Sequence, residues 1–183
     1  METYIAIIRG INVSGKHKVP MAELRKLCEN LGWQNVRTYI QSGNVLFETA
    51  QNDNLTGKLE DLIADNFGFR VPVIVRTAEE MAQVVSNNPF SNKADFEPEK
   101  LYLTFLAETP QPDKLEAIKA FTFEPEEYII SGKEVYIYCT NGYGNTKLEN
   151  LFFERKLKVT ATTRNWRTVN KLVEMSQPAV TLN

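Results

Sequence analysis

The chain has 183 residues, and its 43% apolar and 24% charged residues with a net charge of −2 are typical of a soluble globular protein. One histidine (His17) and two cysteines (Cys28 and Cys139) exclude metal sites built from several such side chains, and we expect neither a metal nor a cofactor. No apolar run approaches the ~18–20 residues of a membrane span and no signal peptide opens the sequence, so we expect a cytoplasmic protein without a membrane partner.

The first half of the chain predicts the order βαββαβ. Short runs of β-branched and aromatic residues predict the strands, and apolar residues spaced three and four apart predict the helices. The elements are, in chain order, a strand at Tyr4–Arg9, a helix from Pro20 to Gly32, strands at residues 36–40 and 45–47 about a turn at Ser42-Gly43, a helix from Leu55 to Gly68 and a strand at Val71–Val75.

The second half repeats this order. A helix that begins with a capping box of Thr77 and Glu80, and then a polar segment, Asn87–Glu99, separate the halves. The later elements are a strand at Leu101–Ala107, a helix at Pro112–Phe121, a hairpin of residues 128–130 and 135–139, a helix at Thr146–Leu157, a strand at Val159–Thr163 and a helix from Trp166 to about Ser176.

Two copies of the βαββαβ order predict an α+β protein of two tandem ferredoxin-like (alpha-beta plait) domains. We expect domains at residues 1–76 and 100–183, joined by a linking helix and loop at 77–99. The net charge is −3 up to residue 99 and +1 beyond it, which argues against a general coat for nucleic acid.

In this topology the loop Gly10–Val19 and the turn Gln41–Asn44 lie at the same end of the first sheet. We call four polar residues there the first loop cluster: Arg9, Asn12, Lys16 and Asn44. They fit turn chemistry, and a small anion cradle of backbone N–H groups and cations is the functional alternative. A P-loop is excluded, because the string Gly10 to His17 lacks the Ser/Thr that holds magnesium.

The loop Thr140–Asn145 and the segment Thr163–Trp166 similarly share one end of the second sheet. The second loop cluster consists of Tyr143, Lys147, Asn150, Arg164, Asn165 and Trp166. Thr146 and Glu149 have the spacing of a capping box, and Asn165 is predicted to cap the last helix. Lys147 is predicted to lie at a helix start, where the helix dipole disfavours a cation unless an anion is near. Residues 147–171 carry seven Lys or Arg and two Glu, a local charge of +5, and a solvated helix face is the alternative interpretation.

Three tyrosines of the second sheet, Tyr102, Tyr136 and Tyr138, are predicted to share one face. Such a face could stack bases, although the motif of RNA-recognition domains is absent, and a neighbouring domain or subunit covers such faces more often. Cys28 and Cys139 fall on apolar faces and are expected to be inert core thiols.

Four motifs carry a resemblance to a known family: Arg9-Gly10-Ile11-Asn12-Val13, Tyr39 to Val45, Asn88-Pro89-Phe90 and Ala161 to Trp166. From about Tyr4 to Met175 the chain resembles a widespread bacterial family, domain of unknown function 1697. The resemblance implies tandem ferredoxin-like domains and supplies no activity. Ser14 departs from the family pattern, which usually has Gly-Gly there.

The leading functional hypothesis is binding of a phosphate-bearing small molecule or nucleotide by the Arg/Lys/Asn loops. The alternatives are nucleic-acid binding through the tyrosine face and the basic C-terminal segment, and an enzyme of unknown class in which Arg9, Lys147 or Arg164 stabilises an anion. No nucleophile and base pair supports the enzyme hypothesis. A homodimer is also possible.

Overall fold

The computed structural model describes residues 1–178, so residues 179–183 at the end of the second expected domain lie outside the described residues. The strands are β1 Glu2–Ile8, β2 Gln34–Tyr39, β3 Asn44–Thr49, β4 Val73–Thr77, β5 Leu101–Leu106, β6 Glu127–Ser131, β7 Glu134–Tyr138 and β8 Ala161–Asn165. The α-helices are α1 Met21–Asn30, α2 Leu55–Phe67, α3 Ala78–Ser86, α4 Pro112–Ile118, α5 Asn150–Leu157 and α6 Trp166–Ser176.

The strands form two four-stranded antiparallel sheets with orders β2-β3-β1-β4 and β6-β7-β5-β8. In the first sheet β3 lies between β1 and β2, which α1 connects, and in the second β7 lies between β5 and β6, which α4 connects. This arrangement is the predicted ferredoxin-like plait. The chain divides into two compact units, one of Met1–Ala82 with the C-terminal end from Leu172, the other of Gln83–Lys171. We describe each unit by itself.

In the first unit, alternate residues of β1 build the core against α1 and α2. Tyr4, Ala6 and Ile8 lie in one cluster with Leu24, Leu59 and other buried residues of the helices. The intervening Ile5 and Ile7 are also fully buried. Burial of both faces explains why this strand reads as a continuous apolar run instead of an alternating one.

The second unit has a corresponding core between its sheet and α4 and α5. Leu106, Val135 and Ile137 lie there with Phe153 and Leu157 of α5. We call the side of the sheet that carries these residues the helix face. Cross-strand partners share a face, so the strand register fixes which other side chains point the same way.

Side chains form hydrogen bonds at the start of α3 and at the end of α4. The capping box of α3 forms as predicted, because Thr77 N–H donates to Glu80 Oε2 (2.9 Å) and Glu80 N–H to Thr77 Oγ1 (3.1 Å). Helix α4 ends at Ile118 instead of Phe121. The Tyr128 hydroxyl lies 2.9 Å from the Ile118 carbonyl oxygen and 2.8 Å from that of Phe121, so its one hydrogen is shared between these acceptors at the end of the helix. The Ile118 carbonyl also accepts a hydrogen bond from Phe121 N–H (3.0 Å).

Helix α5 begins at Asn150, four residues later than the sequence predicted. The Thr146 hydroxyl accepts a hydrogen bond from Leu148 N–H (3.0 Å) and donates to the Glu126 carboxylate, so it forms a local turn in place of the predicted capping box with Glu149. Over residues 1–178, none of the helices is long and apolar enough to cross a membrane.

Candidate functional site

The loop of the first loop cluster is a miniature β-hairpin. Asn12 N–H donates to the His17 carbonyl (3.0 Å) and Lys16 N–H to the Val13 carbonyl (3.0 Å). Ser14 and Gly15 between them both have positive φ, 51° and 72°, as a type I′ turn requires. The loop is therefore a tight turn with its own hydrogen bonds.

The two asparagines of this cluster make structural hydrogen bonds in the loop and in the neighbouring strand turn. Asn12 Nδ2 donates to the carbonyls of Val19 (2.9 Å) and Gln41 (2.8 Å), and its Oδ1 accepts from Val19 N–H (2.8 Å). Asn44, fully buried, donates to the Tyr39 carbonyl (3.0 Å). The loop and turn meet at one end of the sheet as predicted, with Asn12 joining the loop to the turn and Asn44 bonding across the turn itself.

The two cations of the cluster are placed differently. Lys16 is exposed at the tip of the miniature hairpin, whereas Arg9 is half-buried and its N–H donates to the Pro72 carbonyl (3.0 Å). The binding role of all four residues stays a prediction.

The strand register divides the second loop cluster between the two faces of its sheet. The Tyr143 ring stacks on Tyr102 (centroids 4.7 Å apart), whose cross-strand partners are Ile137 and Asn165. Both tyrosines pack against the core of the helix face. Arg164 instead pairs with Leu103, the adjacent position on β5, and so lies on the opposite face.

Arg164 makes structural hydrogen bonds on that opposite face. Its Nη1 donates to the Thr163 carbonyl (2.9 Å), and burial lowers the pKa of the guanidinium to about 10, so it remains a cation at neutral pH. Arg76 occupies the corresponding place in β4, one residue before the helix cap, and is also buried. This correspondence between the two units was not predicted, although each arginine directly precedes a helix-capping residue in the sequence, Thr77 or Asn165.

Asn150, Asn165 and Trp166 have structural partners on or near β8. Asn150 Oδ1 accepts from the Thr163 hydroxyl (2.7 Å), and Asn165 Oδ1 accepts from Thr168 N–H (2.8 Å), which makes Asn165 the predicted N-cap of α6. Trp166 is buried, with its ring 6.4 Å from that of Tyr136.

Lys147 lies three residues before α5, so the predicted conflict with the helix dipole does not arise. Its side chain is exposed and lines a cavity of about 360 Å³, which we call the polar cavity. The lining residues are Thr122, Phe123, Glu124, Pro125, Glu126, Asn141, Asn145 and Lys147.

A second and larger cavity of about 660 Å³ lies between α4 and the edge strand β6. We call it the apolar cavity, because apolar and aromatic residues of α4, the following loop and β6 form much of its lining. They are Leu115, Ile118, Phe121, Phe123, Tyr128, Ile129 and Ile130. Thr122, Phe123, Glu124 and Glu126 line both cavities, so the two adjoin.

Only some of the charged residues that line the two cavities form ion pairs. Glu127 is bound to Lys93 (2.5 Å), and Lys119 is bound to Glu116 (2.6 Å). These two lining residues are therefore already neutralised by partners.

Three other lining charges have no ionic partner. Within residues 1–178, Glu124 and Lys147 make neither a hydrogen bond nor an ion pair, and Glu126 accepts a hydrogen bond only from Thr146. The adjoining cavities thus present two carboxylates and one ammonium that form no ion pair, beside an apolar volume.

The predicted tyrosine face is wrong in one member and is not an open surface. Tyr102 lies on the helix face, whereas Tyr136 pairs with Leu103 on the other. Tyr136 and Tyr138 are buried, and their hydroxyls bond to the Val84 carbonyl (2.8 Å) and Glu97 N–H (3.0 Å). These rings are not available to stack on bases.

The thiols lie in the cores, as predicted. Burial raises the pKa of Cys28 to about 12 and that of Cys139 to about 11, so both are protonated and unreactive at neutral pH. Over the described part of the chain, no group of three His, Cys, Asp or Glu side chains could hold a metal ion.

Of the residues that line the two cavities, only Lys147 was predicted from the sequence. The available signal was the cluster of aromatic residues at Phe121, Phe123 and Tyr128 beside the acidic run Glu124–Glu127. Aromatic residues between a helix and an edge strand are exposed unless something packs on them, and Phe121 is indeed exposed.

Comparisons with known proteins agree with the fold. The family described as "Protein of unknown function (DUF1697)" matches residues 1–136. A solved structure, described as that of the conserved bacterial protein SP0830 from Streptococcus pneumoniae, is 26% identical, with a TM-score of 0.78 over 96% of this chain and 99% of that one. No curated protein matches the chain significantly. The chain therefore belongs to the DUF1697 family, as its motifs indicated.

Proposed function

We propose that this protein binds a small organic molecule in its second unit, with the apolar part of the ligand in the apolar cavity and its polar part in the polar cavity. The observation that supports this is the shared lining of the two volumes by Thr122, Phe123, Glu124 and Glu126. Ligand sites typically have volumes of ~300–1,000 Å³ and combine an apolar lining with a few polar groups, and this pair of cavities has both properties.

A phosphate-bearing small molecule or nucleotide is the second candidate ligand. Lys147, with Asn141 and Asn145 beside it, supports this candidate because an ammonium and two amides can bind an anion. Glu124 and Glu126 in the same lining oppose it, since their charges repel a phosphate dianion.

The other functional hypotheses have less support. Nucleic-acid binding loses the stacking surface on which it depended, because Tyr136 and Tyr138 are buried. The enzyme hypothesis and the homodimer stay predictions.

The test is a thermal-shift and calorimetric screen of organic phosphates, nucleotides, amines, amino acids and short peptides. Thr122→Trp places a large ring at an exposed position that lines both cavities. A ligand at 100 times its Kd adds about 2.7 kcal/mol of stability and so raises the melting temperature. We expect Thr122→Trp to abolish that rise.

Thr140→Trp is the matched control, because Thr140 is exposed in the same unit and lines neither cavity. It should retain the wild-type response. The proposal is contradicted if every compound leaves the melting temperature unchanged, or if a ligand binds equally well to the Thr122→Trp protein.

A further inference from the structure

We infer, on the basis of the proposed function, that the ligand is a zwitterion with a large apolar group, of the class of apolar amino acids and short peptides. Its ammonium would lie at Glu124 and Glu126, its carboxylate at Lys147, and its apolar side chains in the apolar cavity. The inference depends on charges that the protein leaves unpaired within one continuous lining.

The unpaired charges are of both signs and lie at the junction of the cavities. Glu124 and Glu126 line both cavities, whereas Lys147 lines the polar one. Lys147 Nζ lies beyond ion-pair distance of both carboxylates, so neither charge satisfies the other. A ligand with one charge of each sign can pair with both groups at once.

The net charge of these three groups discriminates between ligand classes. Two carboxylates and one ammonium sum to −1, so a phosphate dianion meets net repulsion. A simple amine would pair with a carboxylate but would leave Lys147 unpaired and close to a second cation. A zwitterion has neither disadvantage.

The apolar cavity indicates what the ligand carries besides its two charged groups. Its lining includes the rings of Phe121, Phe123 and Tyr128 and the side chain of Ile130, which lies on the helix face with Tyr128. The exposed ring of Phe121 would lose contact with water on binding, which favours an apolar ligand. Carboxylates beside aromatic rings also suit an ammonium group, which is attracted to both.

The experiment compares the dipeptide L-leucyl-L-tryptophan with two blocked forms by isothermal titration calorimetry. N-acetylation removes the ammonium, and C-terminal amidation removes the carboxylate. On the wild-type protein we expect each block to weaken binding about tenfold or more. Free L-tryptophan tests whether one residue is sufficient for binding, and its weaker binding would support a ligand of peptide size.

Two variants assign each charge to its partner. Glu124→Gln should reduce the affinity difference between the free and N-acetylated dipeptides, and Lys147→Gln should reduce the difference between the free and amidated forms. Glu108→Gln and Lys26→Gln are matched controls, since both residues are exposed and line neither cavity. The controls should preserve both differences.

The outcomes separate this inference from the proposed function. If organic phosphates or simple amines bind in a manner that Thr122→Trp abolishes and the dipeptide does not, the zwitterion inference is wrong and the proposed function stands. Equal affinity for free and blocked dipeptides also overturns the inference. If no compound of any class binds, both fail.

Discussion

Gly43 occupies the turn before β3 in a place where a side chain has no room. Its φ is +95°, and a Cβ there would lie 2.9 Å from both Ile8 Cβ and Ile11 Cδ1. Both neighbours are core residues that cannot move into solvent. We expect Gly43→Ala to lower the free energy of unfolding by about 2 kcal/mol or more, from left-handed strain and overpacking together, measured by urea denaturation.

Gly10 is the matched control for the packing part of that effect. Its φ is +71°, but a Cβ there would have no atom within 4 Å. Gly10→Ala therefore carries only the conformational strain, ~1–2 kcal/mol, partly offset by a less flexible unfolded chain. Equal destabilisation by the two substitutions would refute the close contact at Gly43.

At the scale of elements, Asn165 is both a predicted ligand-binding residue and the cap of α6. Loss of a capping side chain typically destabilises a protein by about 1 kcal/mol, so Asn165→Ala should lower the melting temperature by ~2–4 °C. Asn165→Asp keeps an oxygen for Thr168 N–H and should restore stability. If Asn165→Ala is as stable as wild type, the cap contributes nothing measurable.

The sequence pattern predicts the elements well where local chemistry decides them. Strand alternation, helical spacing and the Thr77–Glu80 box lead to both βαββαβ units. The prediction fails at Thr146, whose hydroxyl accepts from Leu148 N–H in a turn before the helix and donates to Glu126, twenty residues away in the sequence. A local pattern contains no information about such a distant partner.

The candidate site is less predictable, because it depends on strand register and on a loop. The sequence places Arg164 and Asn150 in one cluster, but pairing of Arg164 with Leu103 puts the guanidinium on the face opposite the helices. A shift of one residue would reverse that face. The cavities form where the loop after α4 meets β6, and loop geometry has no periodic pattern from which to predict it.

For the whole molecule, the two buried thiols couple stability to alkaline pH. Cys28 lies in the first unit and Cys139 in the second, and burial raises their pKa values from 9.0 to about 12 and about 11. In the unfolded chain the thiols lose their protons near pH 9, whereas the folded protein retains them. The native state then binds more protons, so the free energy of unfolding falls as pH rises from about 9 toward 11–12.

Each thiol contributes separately to this loss of unfolding free energy. From pH 8 to pH 10 each thiol should remove about 1.4 kcal/mol of stability. Urea denaturation under reducing conditions at both pH values measures this loss for wild type, Cys28→Ala and Cys139→Ala. Each substitution lowers stability at pH 8 by removing core contacts, but it should also remove its own share of the pH-dependent loss. An unchanged pH dependence in Cys28→Ala would mean that its thiol ionises in the folded protein as readily as in the unfolded chain.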